Sequence, residues 1–107
     1  MYVTGTVVQI GEKENPAGNL IKRVVKVVPN GVHHSQRWPL DFLNDRAKLV
    51  DELTVGDEIV AWYNVHCSTW ENASGQMKDF ISFRPYKVQV IAKAKENGEV
   101  FEMVKGN

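Results

Sequence analysis

Asn44–Val65 reads NDRAKLVDELTVGDEIVAWYNV, and its three parts decide the fold. Asn44–Leu53 predicts the one helix of the chain: Asn44 or Asp45 supplies a capping oxygen, and Ala47, Leu49, Val50 and Leu53 form an apolar side. Val55-Gly56-Asp57 then turns the chain. Glu58–Val65 alternates, with Ile59, Ala61, Tyr63 and Val65 inward and Val60, Trp62 and Asn64 outward, the period of a half-buried strand.

Upstream of this helix the pattern gives three strands. Tyr2–Ile10 is rich in Val, Thr and Ile, and Gly5 within it predicts a bulge or a sharp bend. Gly11–Asn19 is a loop. Leu20–Val28 is the second strand, with Lys22, Val24 and Lys26 on one face and Ile21, Arg23, Val25 and Val27 on the other. Pro29-Asn30-Gly31 turns the chain into Arg37–Leu43, where Pro39 marks an exposed edge or a bulge because it cannot donate to a ladder. Downstream, Met77–Ile91 is the last long strand, with a possible break at Pro85. Asn97-Gly98 signals a hairpin in the tail.

Three strands, one short helix and two strands predict an all-β, five-stranded Greek-key OB-fold barrel with its helix between strands three and four. Residues 1–91 form this domain and residues 92–107 a C-terminal extension, with the hairpin signal inside it. The rival architecture is another small β-barrel or sandwich.

The totals bound the function. At 107 residues, 43% hydrophobic and 24% charged, the chain has the composition of one soluble domain. No apolar run approaches the roughly 20 residues that span a bilayer, and MYVTGTVVQI lacks a basic n-region, so no membrane partner and a cytoplasmic, nucleoid-associated location are expected. With 13 basic and 13 acidic residues, binding by net charge alone is disfavoured. The charges are unevenly placed, however. Asn15–Leu40 holds Lys22, Arg23, Lys26 and Arg37 and no acid, whereas Asp41–Glu58 holds six acids and two bases.

Ser68–Gln76, STWENASGQ, is mostly turn chemistry, yet it contains Trp70, whose large apolar body normally seeks burial. With Val55-Gly56-Asp57 and the alternating fourth strand, Trp70–Gln76 resembles the single-stranded DNA-binding proteins of bacteria and phages. There a tryptophan followed by a polar Ser-Gly turn stacks on bases. Phe83-Arg84-Pro85-Tyr86-Lys87-Val88 also resembles a run in a family of short uncharacterised bacterial proteins expected to be OB-folds. The last residues given, EVFEMVKGN, are short and charge-balanced, unlike the long acidic tail with which single-stranded DNA-binding proteins recruit partners, so the resemblance does not carry that recruitment role over.

A single-strand groove needs positive charge for phosphates and aromatic platforms for bases. An OB barrel presents such a groove on its second and third strands, between the loops joining strands one to two and four to five. The candidates are therefore Lys22, Arg23, Lys26, Arg37 and Arg84 for phosphates, and Trp70 and Trp38 for stacking. Trp70 could instead plug the barrel end, and Trp38, in phase with Leu40 and Phe42, could be core. Trp62 and Val60 point outward and are expected to form a homo-oligomer interface.

Catalysis is not expected. His33-His34 and His66-Cys67 are adjacent pairs, and strand neighbours point to opposite faces, so neither suits a metal. No cofactor motif is present. The expected activity is non-enzymatic binding of single-stranded DNA, or of RNA, with little sequence preference, in replication, recombination or repair. The alternative is an OB-fold module that binds protein.

Overall fold

The computed structural model describes residues 1–94, so the hairpin expected around Asn97-Gly98 lies outside the described residues. The strands are β1 (Tyr2–Ile10), β2 (Lys22–Pro29), β3 (Trp38–Leu43), β4 (Glu58–Glu71) and β5 (Met77–Ala92), and a helix spans Asn44–Glu52 between β3 and β4. They close into a barrel in the order β1-β2-β3-β5-β4. Every pairing is antiparallel except β3 with β5, which run parallel and meet at Leu40 and Phe83. This is the OB architecture that the element order predicts.

The period-2 pattern fills the barrel. Val3 and Val7 of β1, Val25 and Val27 of β2, Leu40 and Phe42 of β3, and Ile59, Ala61 and Tyr63 of β4 are all buried in one core. At Gly5 the backbone of β2 comes close: a Cβ there would meet Val28 O and stand 2.9 Å from Pro29 Cα. The bulge expected at Gly5 falls instead at Val8, where the register with β2 slips between Val7 and Gln9. Gly5 thus permits a close approach, and Val8 supplies the irregularity.

The helix is a 3₁₀ helix over its whole length rather than an α-helix. A 3₁₀ helix has three residues per turn, so residues three apart eclipse. Ala47 and Val50, followed by Leu53 just past its end, are the buried residues and obey that spacing. The expected cap is absent. Asn44 enters at φ 52°, and its Oδ1 accepts from Ile21 N–H at 3.1 Å, tying the helix start to β2.

Val55-Gly56-Asp57 is a built turn. Gly56 takes φ 102°, its N–H donates to Val7 O at 2.8 Å, and Val7 N–H donates to Asp57 O at 2.9 Å. The Asp57 carboxylate is fully buried, the one such charge among the described residues. It accepts from Ala94 N–H at 2.7 Å, Thr54 N–H at 2.8 Å and Lys93 Nζ at 3.0 Å. Burial alone would push its pKa up. The hydrogen bonds from Ala94, Lys93 and Thr54 and the Lys93 charge outweigh this, and the carboxyl is held below its usual range. The turn therefore locks the end of β5 against the start of β4.

Beyond Tyr63 and Pro85 the β4–β5 ribbon leaves the barrel. β1 pairs with β4 only as far as Trp62, and β3 is paired with β5 only at Phe83, so beyond Ser82 the ribbon is paired with itself alone. Asn64–Glu71 and Met77–Ile81 are exposed, and the described residues measure 57 × 28 × 23 Å. Val65, expected inward, is exposed because the barrel has ended beneath it. Pro85 does not break β5. It is buried opposite Tyr63, and Tyr86 is the extra residue where the register with β4 slips. At the tip, Asn72 Oδ1 accepts from Ser74 and Gln76 N–H, both at 2.9 Å, and Gly75 turns the chain at φ 84°.

Candidate nucleic-acid interface

Directly opposed residues of an antiparallel pair share a face. The β4–β5 register therefore puts Asn64 with Arg84, His66 with Ser82, Ser68 with Phe80 and Trp70 with Lys78 on one side of the ribbon. Ser82 Oγ donates to Asp41 Oδ2 of β3 at 2.5 Å, so this side continues the outer face of β3. Asp41 in turn pairs with Val24, between Lys22 and Lys26 on the outer face of β2. Lys22, Lys26, Arg84 and Trp70 thus lie on one surface that runs from the barrel onto the ribbon.

Trp70 is not in a loop. It belongs to β4, and the turn begins two residues later. Its ring stacks on Phe80, with centroids 5.3 Å apart and planes 8° apart. Trp70 is 51% and Phe80 47% exposed, so the pair is an open platform and not a plug for the barrel. Phe80 escaped the sequence reading. The signal was present, since Lys78, Phe80, Ser82 and Arg84 alternate along one strand face.

Between platform and barrel lies a groove formed by two adjoining recesses. One, of about 490 Å³, includes Asp41, Asp45, Arg46, Asn64, His66 and Arg84 in its lining. The other, of about 440 Å³, includes Pro16, Leu20, Lys22, Asp41, Ser82 and Arg84. Arg84 Nε donates to Ser82 Oγ at 3.2 Å, which ties the guanidinium to the residue that also bonds Asp41. Lys22 is fixed through its backbone, which exchanges hydrogen bonds with Glu14 of the preceding loop at 2.7 and 2.9 Å.

Three predicted groove residues are elsewhere. Arg23 pairs with Phe42 and so starts on the inner face. Its guanidinium emerges at the barrel rim, where Nε donates to Gly11 O at 3.1 Å and Nη1 meets Asp51 Oδ1 at 3.2 Å. Trp38 pairs with Val27, also on the inner face, and stacks on Phe83 at 5.4 Å against the core. Strand parity removes both from the groove. Arg37 is exposed in the loop before β3, beyond the groove's lining. Trp62 and Val60 are half-buried on the outer barrel wall, and Lys87 Nζ sits 4.6 Å from the Trp62 ring centroid. His66 and Cys67 take opposite faces of β4, His66 opposite Ser82 in the groove and Cys67 exposed opposite Ile81. His33 and His34 do not diverge as strand neighbours would: they lie in a turn, with ring centroids 4.1 Å apart.

The chain belongs to the family described as a domain of unknown function (DUF3127), whose model matches residues 2–89. No curated protein matches it. Its fold is similar to that of Rim1, the mitochondrial single-stranded DNA-binding protein of S. cerevisiae. One crystal structure of Rim1 superposes with a TM-score of 0.63 at 12% identity, over 88% of this chain and 95% of that one. A selenomethionine-labelled crystal of the same protein gives 0.58 at 11% identity, with the same coverage. At such identities the likeness is one of fold.

Proposed function

We propose that this protein binds single-stranded DNA without catalysing a reaction on it. The observation that carries the reading is the placement of the open Trp70–Phe80 stack on the same face as Lys22 and Arg84. Bases stack on the exposed ring faces, each worth about 1–3 kcal/mol and nearly indifferent to base identity. Phosphates follow Lys22, Lys26 and Arg84 along the outer face of β2, β3 and β5. Zero net charge fits this division of labour, because the local row of cations and the aromatic pair, rather than the whole-molecule field, hold the strand. The fold shared with a protein that binds single-stranded DNA supports the reading.

The role is in replication, recombination or repair, where single strands are transiently exposed. Trp62 and Val60 assemble the protein into a homo-oligomer, since they leave a partly open apolar patch on the barrel wall. A second reading, a module that binds protein, is favoured by the other side of the ribbon, where Val65, Met77 and Ile81 are exposed together. Anisotropy of a labelled oligo-dT separates the two. Binding that weakens as salt rises supports the first reading, and no binding at any salt leaves the second.

A further inference from the structure

Asp41 is out of place in a phosphate groove. It lines both recesses, between Lys22 and Arg84, where a carboxylate repels phosphate. Its Oδ2 accepts the Ser82 hydroxyl, whose oxygen in turn accepts from Arg84 Nε. Among the described residues its Oδ1 has no hydrogen-bond partner. An ionised carboxylate only accepts hydrogen bonds, so whatever faces Asp41 in a bound strand must be a donor. A phosphodiester has none, but bases have.

The four bases differ in how well they satisfy such a group. An unpaired guanine presents N1–H and N2–H side by side, two donors that a carboxylate takes together. Cytosine and adenine offer one exocyclic amine next to a ring-nitrogen acceptor. Thymine offers N3–H flanked by two carbonyl oxygens. Arg84, held beside Asp41 through Ser82, adds a donor where guanine carries its O6 acceptor. We infer that Asp41 and Arg84 read the Watson–Crick edge of one guanine in the bound strand, giving a preference at that position on top of base-indifferent stacking at Trp70 and Phe80. The inference rests on the single-strand reading above.

A structural role for Asp41 is the competing account, because β3 and β5 are paired only at Leu40 and Phe83 and the Asp41–Ser82 bond reinforces that seam. A structural role affects all oligonucleotides alike, and base reading does not. Three oligomers of equal length decide it: all thymine, thymine with isolated guanines, and the same with inosine for guanine, which removes only the N2 amine. The wild type is expected to bind the guanine oligomer roughly fivefold or more tightly than the inosine or thymine ones. Asp41→Asn is expected to bind all three with closely similar affinity. Equal wild-type affinities, or a guanine preference that survives in Asp41→Asn, overturn the inference while leaving single-strand binding intact. The inosine comparison needs no mutant, so it stands even if Asp41→Asn folds poorly. Absence of binding to all three by the wild type overturns the single-strand reading and this inference with it.

Discussion

The Trp70 and Phe80 rings lie parallel, 8° and 5.3 Å apart, on the exposed outer part of the β4–β5 ribbon. Neither ring contributes to the core, which closes at Tyr63 and Phe83. Trp70→Ala and Phe80→Ala are therefore each expected to weaken oligo-dT binding by about 1–3 kcal/mol and to leave the melting temperature nearly unchanged. The double substitution is expected to cost less than the sum, because each ring supports the other. Calorimetric titration and thermal melts of the three variants check this. Easy unfolding with unaltered affinity per folded molecule would return the pair to a structural role.

Lys22 and Arg23 are neighbours in sequence with opposite fates, one on the groove and one at the rim with Asp51. Lys22→Ala is expected to lower affinity and to reduce the slope of log affinity against log salt by about 0.7, the value of one phosphate contact on a single strand. Arg23→Ala is expected to leave that slope unchanged and to lower stability modestly, through loss of its bonds to Gly11 and Asp51. Salt titrations of both variants test the assignment, and a change of slope in Arg23→Ala would contradict it.

Asp57 sets an acid limit on folding. Its folded pKa lies below the ordinary 3.8 because its hydrogen bonds outweigh its burial. Its contribution to stability is thus complete above the unfolded value and is lost as pH falls through the folded one. Asp57→Asn keeps the shape but removes the charge and an acceptor, and is expected to cost about 1–3 kcal/mol at neutral pH. Denaturant melts should show the gap between wild type and variant narrowing below about pH 4. A gap that stays constant down to pH 2 would show that the charge is not what the turn requires.

Trp62 sits on the outer wall with Lys87 over its ring, between Tyr2 of β1 and Lys87 of β5. Sedimentation of the wild type is expected to give a homo-oligomer, and Trp62→Glu a monomer, since burying this face gains about 25 cal/mol per Å² of apolar surface. A wild-type monomer at high micromolar concentration would mean that Lys87 covers enough of the ring within one chain.

The barrel was readable because its strands have an inside and an outside. Val25, Val27, Ile59 and Ala61 alternate with polar or half-exposed neighbours, and each is buried. The ribbon was not readable by the same rule. Past Val65 neither side is buried, so hydrophobic contrast vanishes and Ser68–Gln76 looks like one long loop, although β4 runs on to Glu71. The turn chemistry of Asn72 and Gly75 was correctly visible, but it marks only the tip. Parity also explains the mixed fate of the site residues. Lys22 and Lys26 lie on the outer face by the same alternation that puts Arg23 on the inner one, and Trp38 follows the phase of Leu40 and Phe42 onto the inner face as well. Helix type was hidden because Ala47, Val50 and Leu53 suit three residues per turn as well as 3.6.

The central claim is that Trp70 stacks on a base, and tryptophan emission reads it directly. Trp38 is packed against Phe83 and Trp62 lies under Lys87, so Trp70 is the indole most open to a ligand. Titration with oligo-dT is expected to quench the wild-type emission, with a midpoint that moves to higher DNA concentration as salt rises. In Trp70→Phe, which keeps an aromatic face, binding should persist by anisotropy while the quench disappears. An unquenched wild type, or an equal quench in Trp70→Phe, would contradict the account.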